Sequence, residues 1–375
     1  MLSHHDARPY AEAASEAAAQ ARVKLEGLIE KGRTRALAVI EQVERDIPKD
    51  SIVPARALNF AQHGGPDDRI LLGWNGEPAV GLHDHALSQA AERAGVPWTF
   101  VERLRGHGNW GHGLLAHNLN EIHRRADSRF LIRTVDGEAR GFLSDKFRRL
   151  DNRPILDAFC KAAAEVGAVP VEGYAMDTKV AVKALLPRVF EPVPNEVMAF
   201  GLKFDNSDFG DGALSLRVFM LRLWCTNYAI TDEALRQVHL GGKLPDDVVF
   251  SDRTYRLDSD RSASMVRDIV ATELSPERVE EVCEVIRKAN AEGVTVSRVA
   301  EFLKRHVTKS EGASIVEAYN SADVVNLPAG NTSWRFSNAI SWIAGKTEKE
   351  GRKLDLMQIA ALALPGGGVL HAERN

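Results

Sequence analysis

Lys146, Phe147, Arg148, Arg149 and Arg153 lie close together where a strand-like run ends and a helix begins. Free backbone N–H groups at a helix start, together with its dipole, favour anions, so cations there can converge on a phosphate. Phe147, inside the cluster, can stack on a nucleobase. The same residues also read as a solvated strand end in which Asp145 and Asp151 pair with the arginines. Arg217 and Arg222 pose a similar choice within the apolar run from Leu214 to Trp224. A buried guanidinium has to be paired, and Asp205, Asp208 and Asp211 are natural partners. On an open sheet face the same two arginines would line a basic groove. Alternation places Ser215 and Arg217 on one face and Leu214, Leu216 and Val218 on the other. Arg222 can share the face of Arg217 only if a bulge intervenes.

Other chemistry is less marked. His83, His85, His107, His112, His117 and His123 lack the HExxH or CxxC…H spacing of zinc sites, so no metal and no cofactor is expected. Gly106 to Gly113 is glycine-rich, but it has no GK[ST] and no GxGxxG in a βαβ unit. It reads as a flexible loop with Trp110 at its tip, a candidate stacking residue or subunit contact. No GxSxG or other nucleophile motif appears, and Asp246-Asp247 reads as a solvated loop pair, so catalysis is not the expected role.

The elements that must position these residues follow from periodicity. Pro9 to Ile47 is rich in helix formers with an apolar stripe at helical spacing. Gly32 suggests a break between two helices, and Pro48 a stop. This arm can pack on its own domain or on a neighbouring subunit. Ser51 to Gly65 reads as irregular. Asn75-Gly76 and Asp136-Gly137 mark two hairpins, Arg69–Trp74 with Pro78–Leu82 and Phe130–Val135 with Ala139–Ser144. Asp84 and Asp151 or Asn152 suit helix N-caps. Strand-like runs cover Val169–Met176, Val180–Leu186, Val197–Asp205 and Ala213–Cys225, and from Thr231 onward the pattern is helical. The expected fold is α+β: a central antiparallel sheet with helices packed on one face, flanked by an N-terminal helical arm and C-terminal helices. The expected division is an arm over 1–50, a central α+β domain over 51–230 and a mostly helical region over 231–375.

Two stretches carry a family resemblance. Arg133-Thr134-Val135-Asp136-Gly137 followed by Leu143-Ser144-Asp145-Lys146-Phe147-Arg148-Arg149-Leu150-Asp151-Asn152 is the first. The second runs from Asn206-Ser207 through Gly212-Ala213-Leu214-Ser215-Leu216-Arg217 to Arg222-Leu223-Trp224-Cys225-Thr226-Asn227. Together with Leu82 to Pro97 and Thr332 to Ile343, they resemble the phage/plasmid-like family called domain of unknown function 932. Tyr228 departs from it, since the family usually has glycine there. The resemblance spans roughly residues 70–345. It implies a mobile-element protein in a bacterial cytoplasm, with fold-level analogy to phage single-strand annealing proteins.

Composition bounds these readings. The chain has 375 residues, 27% charged, with a net charge of −4, which excludes a histone-like binder but not a local basic patch. Residues 100–153 carry 11 bases against 7 acids, and residues 230–285 carry 13 acids against 7 bases, so charge is segregated. Cys160, Cys225 and Cys283 form no CxxC pair, which fits a reduced compartment. No apolar leader and no membrane span is expected. The expected function is binding of single-stranded DNA or RNA, with strand annealing in recombination, by a homo-oligomer joined through the N-terminal helices. The alternative is an assembly or regulatory protein of a mobile element that acts through protein contacts.

Overall fold

The computed structural model of the chain describes residues 15–64, 69–223, 227–237, 250–321 and 327–365. The first element is one helix, α1 (Glu16–Arg45), capped by the Ser15 side chain. The expected break at Gly32 does not occur. That glycine lies against β7 (Val169–Ala175), where a Cβ would sit 1.5 Å from the Val171 carbonyl oxygen. Gly32 therefore serves close approach of helix to strand, and the helix runs on through it. The apolar stripe of α1 is spent on its own chain: Ala18, Ala21 and Leu25 pack on one apolar cluster and Val39 and Val43 on another.

The strands divide between two sheets. The first contains β1 (Lys49–Pro54), β2 (Leu58–Gln62), β3 (Ile70–Trp74), β4 (Val80–Leu82), β5 (Arg129–Val135) and β6 (Glu138–Ser144), in the order β1-β5-β6-β4-β3-β2. Its β4–β6 pair is parallel and the others are antiparallel. The stretch expected to be irregular, Ser51 to Gly65, thus supplies most of β1 and all of β2. Both hairpin dipeptides turn as expected, with positive φ at Asn75, Gly76, Asp136 and Gly137. Helices α2 (Asp84–Arg93), α3 (Trp98–Arg105) and α4 (Gly108–Arg124) cover one face, burying Leu87, Leu104, Leu115 and Leu119 with Phe60, Leu72 and Phe142. The cap of α2 is His83, whose Nδ1 accepts from the His85 N–H, with Asp84 in the first turn.

The expected glycine loop is largely helix. Gly111 sits on the Leu104 carbonyl, where a Cβ would lie 1.8 Å from the oxygen. Its missing side chain lets α3 and α4 meet.

After α5 (Asn152–Glu165) comes the second sheet, fully antiparallel, in the order β11-β10-β9-β8-β7. It adds β8 (Val180–Leu185), β9 (Met198–Asn206), β10 (Leu214–Arg222) and β11 (Asn227–Gln237) to β7. Residues 231–237, expected to be helical, continue the sheet. Both faces of this sheet are apolar. Phe200, Phe204, Leu216 and Met220 meet α5, α6 (Asp252–Glu273) and α7 (Pro276–Ala291), while Ala199, Phe219 and Leu221 meet α1. Helices thus lie on both sides of it, not on one. A separate helical core unites α8 (Val296–His306), α9 (Lys309–Asn320), α10 (Ser333–Gly345) and α11 (Glu350–Leu362) around Leu303, Ile315, Ile340 and Leu356. The molecule is α+β, with helical elements at both ends. Among the described residues no helix is long and apolar enough to cross a membrane.

Candidate nucleic-acid interface

The basic segment after β6 is held inward. The Phe147 ring is buried with Leu131 and Leu143, out of reach of a nucleobase in this arrangement. Arg148 grips both carboxylate oxygens of Asp258 through Nε and Nη2, and these hydrogen bonds raise its pKa. Arg149 Nη1 lies 3.3 Å from Asp50, and its guanidinium stacks 4.1 Å above the Tyr255 ring. Lys146 is half-buried at the strand end. Arg153 is 54% exposed and pairs with Glu44 of α1 at 2.8 Å.

The sheet arginines are also paired. Arg217 donates to Asp205 at 3.1 Å, and Asp205 takes Lys203 at 2.8 Å as well. Lys183, Lys203 and Arg217 stand opposite one another across β8, β9 and β10, with Lys183 on Glu172 at 2.7 Å. Burial lowers the Lys183 pKa, and the Lys203 charge lowers it too. Arg222 lies on the other sheet face, so the two arginines share no groove. Its Nε and Nη2 each sit 2.8 Å from Glu196, which also accepts from the Trp334 Nε1–H at 3.1 Å. The bulges in β10 fall in its pairing with β11, not β9.

Arg133, met in the sequence only as part of a motif, is the most enclosed cation described above. It is 1% exposed and reaches Asp50 and Asp151 at 2.7 Å each and the Asp208 carbonyl at 2.8 Å. Burial works to lower its pKa, and the Asp151, Asp50 and Asp208 charges raise it further than burial lowers it. The Asp208 carboxylate accepts the Asn152 N–H at 2.6 Å. Burial pushes its pKa up to about 7 against the pull of Arg133. This node ties β1 and β5 of one sheet to the turn after β9 of the other. The Asp151 side chain therefore serves Arg133 instead of capping α5.

What these contacts build is a seat for α6. Asp258 meets Arg148, Tyr255 meets Arg149, and the Ser259 hydroxyl donates to the Arg149 carbonyl at 3.2 Å. At 100° per residue, these three occupy one side of the helix. Arg253, Arg256, Arg261 and Arg267 are spread over the other side, all exposed. None has a carboxylate partner among the described residues. Phe250, 41% exposed, precedes the helix, and Leu257 is exposed among the arginines. The sequence hid this surface, because residues 230–285 as a whole are acidic. Over α6 there are four bases against five acids, but Asp258 is turned to Arg148 and Glu273 is buried, so plotting the stretch at helical spacing would have found a face where four arginines stand with Asp260 and Asp268.

A cleft of about 480 Å³ lies beside α2 and α3. Its charges are balanced internally: Arg69 meets Glu138 at 3.2 Å, Arg105 meets Asp84 at 2.9 Å, and His83 lies 3.5 Å from Asp177. Trp110, on α4, is 66% exposed with its ring edge-on to His107. Cys160 and Cys283 are free, and burial raises both thiols, to about 11 and about 12. Trp224, Cys225 and Asp246-Asp247 lie outside the described residues. No group of three or more metal-ligating side chains occurs among the described residues. Comparison with protein-family models, curated proteins and solved structures finds no match for this chain.

Proposed function

We propose that the protein binds single-stranded nucleic acid, with the outer face of α6 as its contact surface. The observation that carries this reading is the set of four exposed arginines on that face, none ion-paired among the described residues, against two exposed acids, Asp260 and Asp268, with the half-exposed Phe250 at the helix start, its ring edge-on to Tyr255. Phosphate contacts from such arginines release counterions and supply affinity without sequence preference. An aromatic ring alongside supplies a stacking platform. The resemblance to the phage/plasmid-like family supports a mobile-element role, with strand annealing in recombination as its setting. The arginines the sequence put forward, Arg148 and Arg149, hold the helix that presents the surface. A homo-oligomer would have to join through surfaces other than the buried stripe of α1.

Fluorescence polarisation with single- and double-stranded oligonucleotides across a salt series tests the reading. The wild type should bind single strands with affinity that falls steeply with salt. Replacing Arg253, Arg256 and Arg261 by alanine should make the slope of log affinity against log salt shallower by about 2, at ~0.7 per lost phosphate contact. Absence of wild-type binding, or an unchanged slope in the triple variant, overturns it.

A further inference from the structure

The second surface with a chemistry of its own lies at the far end of the chain, between α8 and α9. Only Val307 and Thr308 separate the two helices, and Thr308 with Glu311 forms a reciprocal cap that fixes the turn. Arg352 clamps Glu311 at 2.8 Å and ties the turn to α11; this hydrogen bonding holds the Glu311 carboxyl at about 2. The helix pair is therefore a fixed scaffold.

Its outer side is a groove of about 670 Å³. Leu303, Val307, Gly312, Ala313 and Val316 form the apolar lining. Gly312 and Ala313 leave the floor wide: a Cβ added at Gly312 would meet only ordinary contacts, 3.7 Å from Val307 and 3.9 Å from Leu303. Val316 is 38% exposed at the edge. Charge on the rim is two cations against one acid. Lys304 and Lys309 are exposed and have no carboxylate partner among the described residues, and Glu317 is the single acid of the lining. From Thr308 to Glu317 the groove follows α9 for about 14 Å, roughly the length of two and a half helical turns of a ligand.

We infer that this groove docks an acidic amphipathic helix of a partner protein. Large apolar side chains at i, i+3 or i+4 and i+7 would fill the space over Gly312 and Ala313, as in other helix-in-groove recognition. Carboxylates on the flanks of the same helix would meet Lys304 and Lys309. The site is independent of α6 and of nucleic-acid binding.

The test uses the full chain and two fluorescein-labelled synthetic twelve-residue peptides. Both carry leucine at the apolar positions; one has glutamate and the other lysine at the remaining positions. The glutamate peptide should bind, and more weakly as salt rises, while the lysine peptide should bind at least tenfold more weakly. Lys304→Glu with Lys309→Glu should cut affinity for the glutamate peptide at least tenfold without changing the melting temperature. Val316→Asp should do the same, while the triple α6 variant should bind this peptide as the wild type does. Equal binding of both peptides, or unchanged affinity after the double charge reversal, overturns the inference. So does a doubled mass in light scattering that Val316→Asp abolishes, since the groove would then hold a second copy of this chain.

Discussion

Arg133 and Arg253 carry the same guanidinium in opposite surroundings. Arg133, on β5, is enclosed by Asp50, Asp151 and the Asp208 carbonyl, and its charge is consumed in joining two sheets. Arg253, on the first turn of α6, faces water and makes no ion pair among the described residues. A buried cation has to be paired or the fold fails, so its partners come from within the chain. An exposed cation is solvated at little cost and stays available to an external anion. Arg148 stands between these extremes: partly exposed, yet held by both oxygens of Asp258. The basic segment and α6 thus divide the labour, one anchoring and the other presenting.

The largest expected effect is at the node. Arg133→Ala should destabilise by about 3–5 kcal/mol, because Asp50 and Asp151 lose a buried counter-charge. Urea denaturation measures it, and a loss below ~1 kcal/mol would erase the contrast with α6. Arg222→Ala, which strands Glu196 beside Trp334, belongs in the same range by the same reasoning.

The node should also give a pH signature. The Asp208 pKa is raised to about 7 in the folded state from an ordinary value of 3.8. Between those values the folded protein holds a proton that the unfolded chain releases. The stability from this group is therefore full below about pH 4 and is lost as pH rises toward 7. Asp208→Asn should flatten that part of the stability profile; an unaltered profile in the variant would show that Asp208 is ionised throughout.

On the α6 side, Phe250→Ala should weaken single-strand binding by about 1–3 kcal/mol if one base stacks there. Titration of that variant at fixed salt decides, and equal loss for duplex DNA would count against stacking. The smallest effect is on folding: removing Arg253, Arg256 and Arg261 should change stability by less than ~0.5 kcal/mol, since surface substitutions rarely do more. A clear drop in melting temperature would mean that α6 uses these arginines structurally.

How far the sequence could be read depended on the range of the interaction. The Asn75-Gly76 and Asp136-Gly137 turns were legible because positive φ at both central positions is a local demand. The proline start of α7 after Ser275 was legible for the same reason. The helix from about Leu114 to Arg125 was legible from its pattern, but the opening turns of α4 over Gly108–Gly113 were not, because their glycines mimic a loop until Leu104 is seen pressed against Gly111. Gly32 misled in the same way, since Val171 approaches it from more than a hundred residues away. For Arg217, the partner anticipated from the neighbouring strand, Asp205, is the one it has, because adjacent antiparallel strands bring it there. For Arg222, none of the anticipated aspartates serves; Glu196 does.

The sequence by itself determined much of the local conformation: the hairpin turns, the helix stripes and the α+β class that their order implies. It also determined which residues are able to carry charge. Only the tertiary structure decided which charges remain available, because the groups that neutralise them lie far along the chain. Asp258 is 110 positions from Arg148, and Asp50 is 83 from Arg133. Electrostatic pairing depends on distance in space and on exclusion of water, and neither can be read from spacing along the chain.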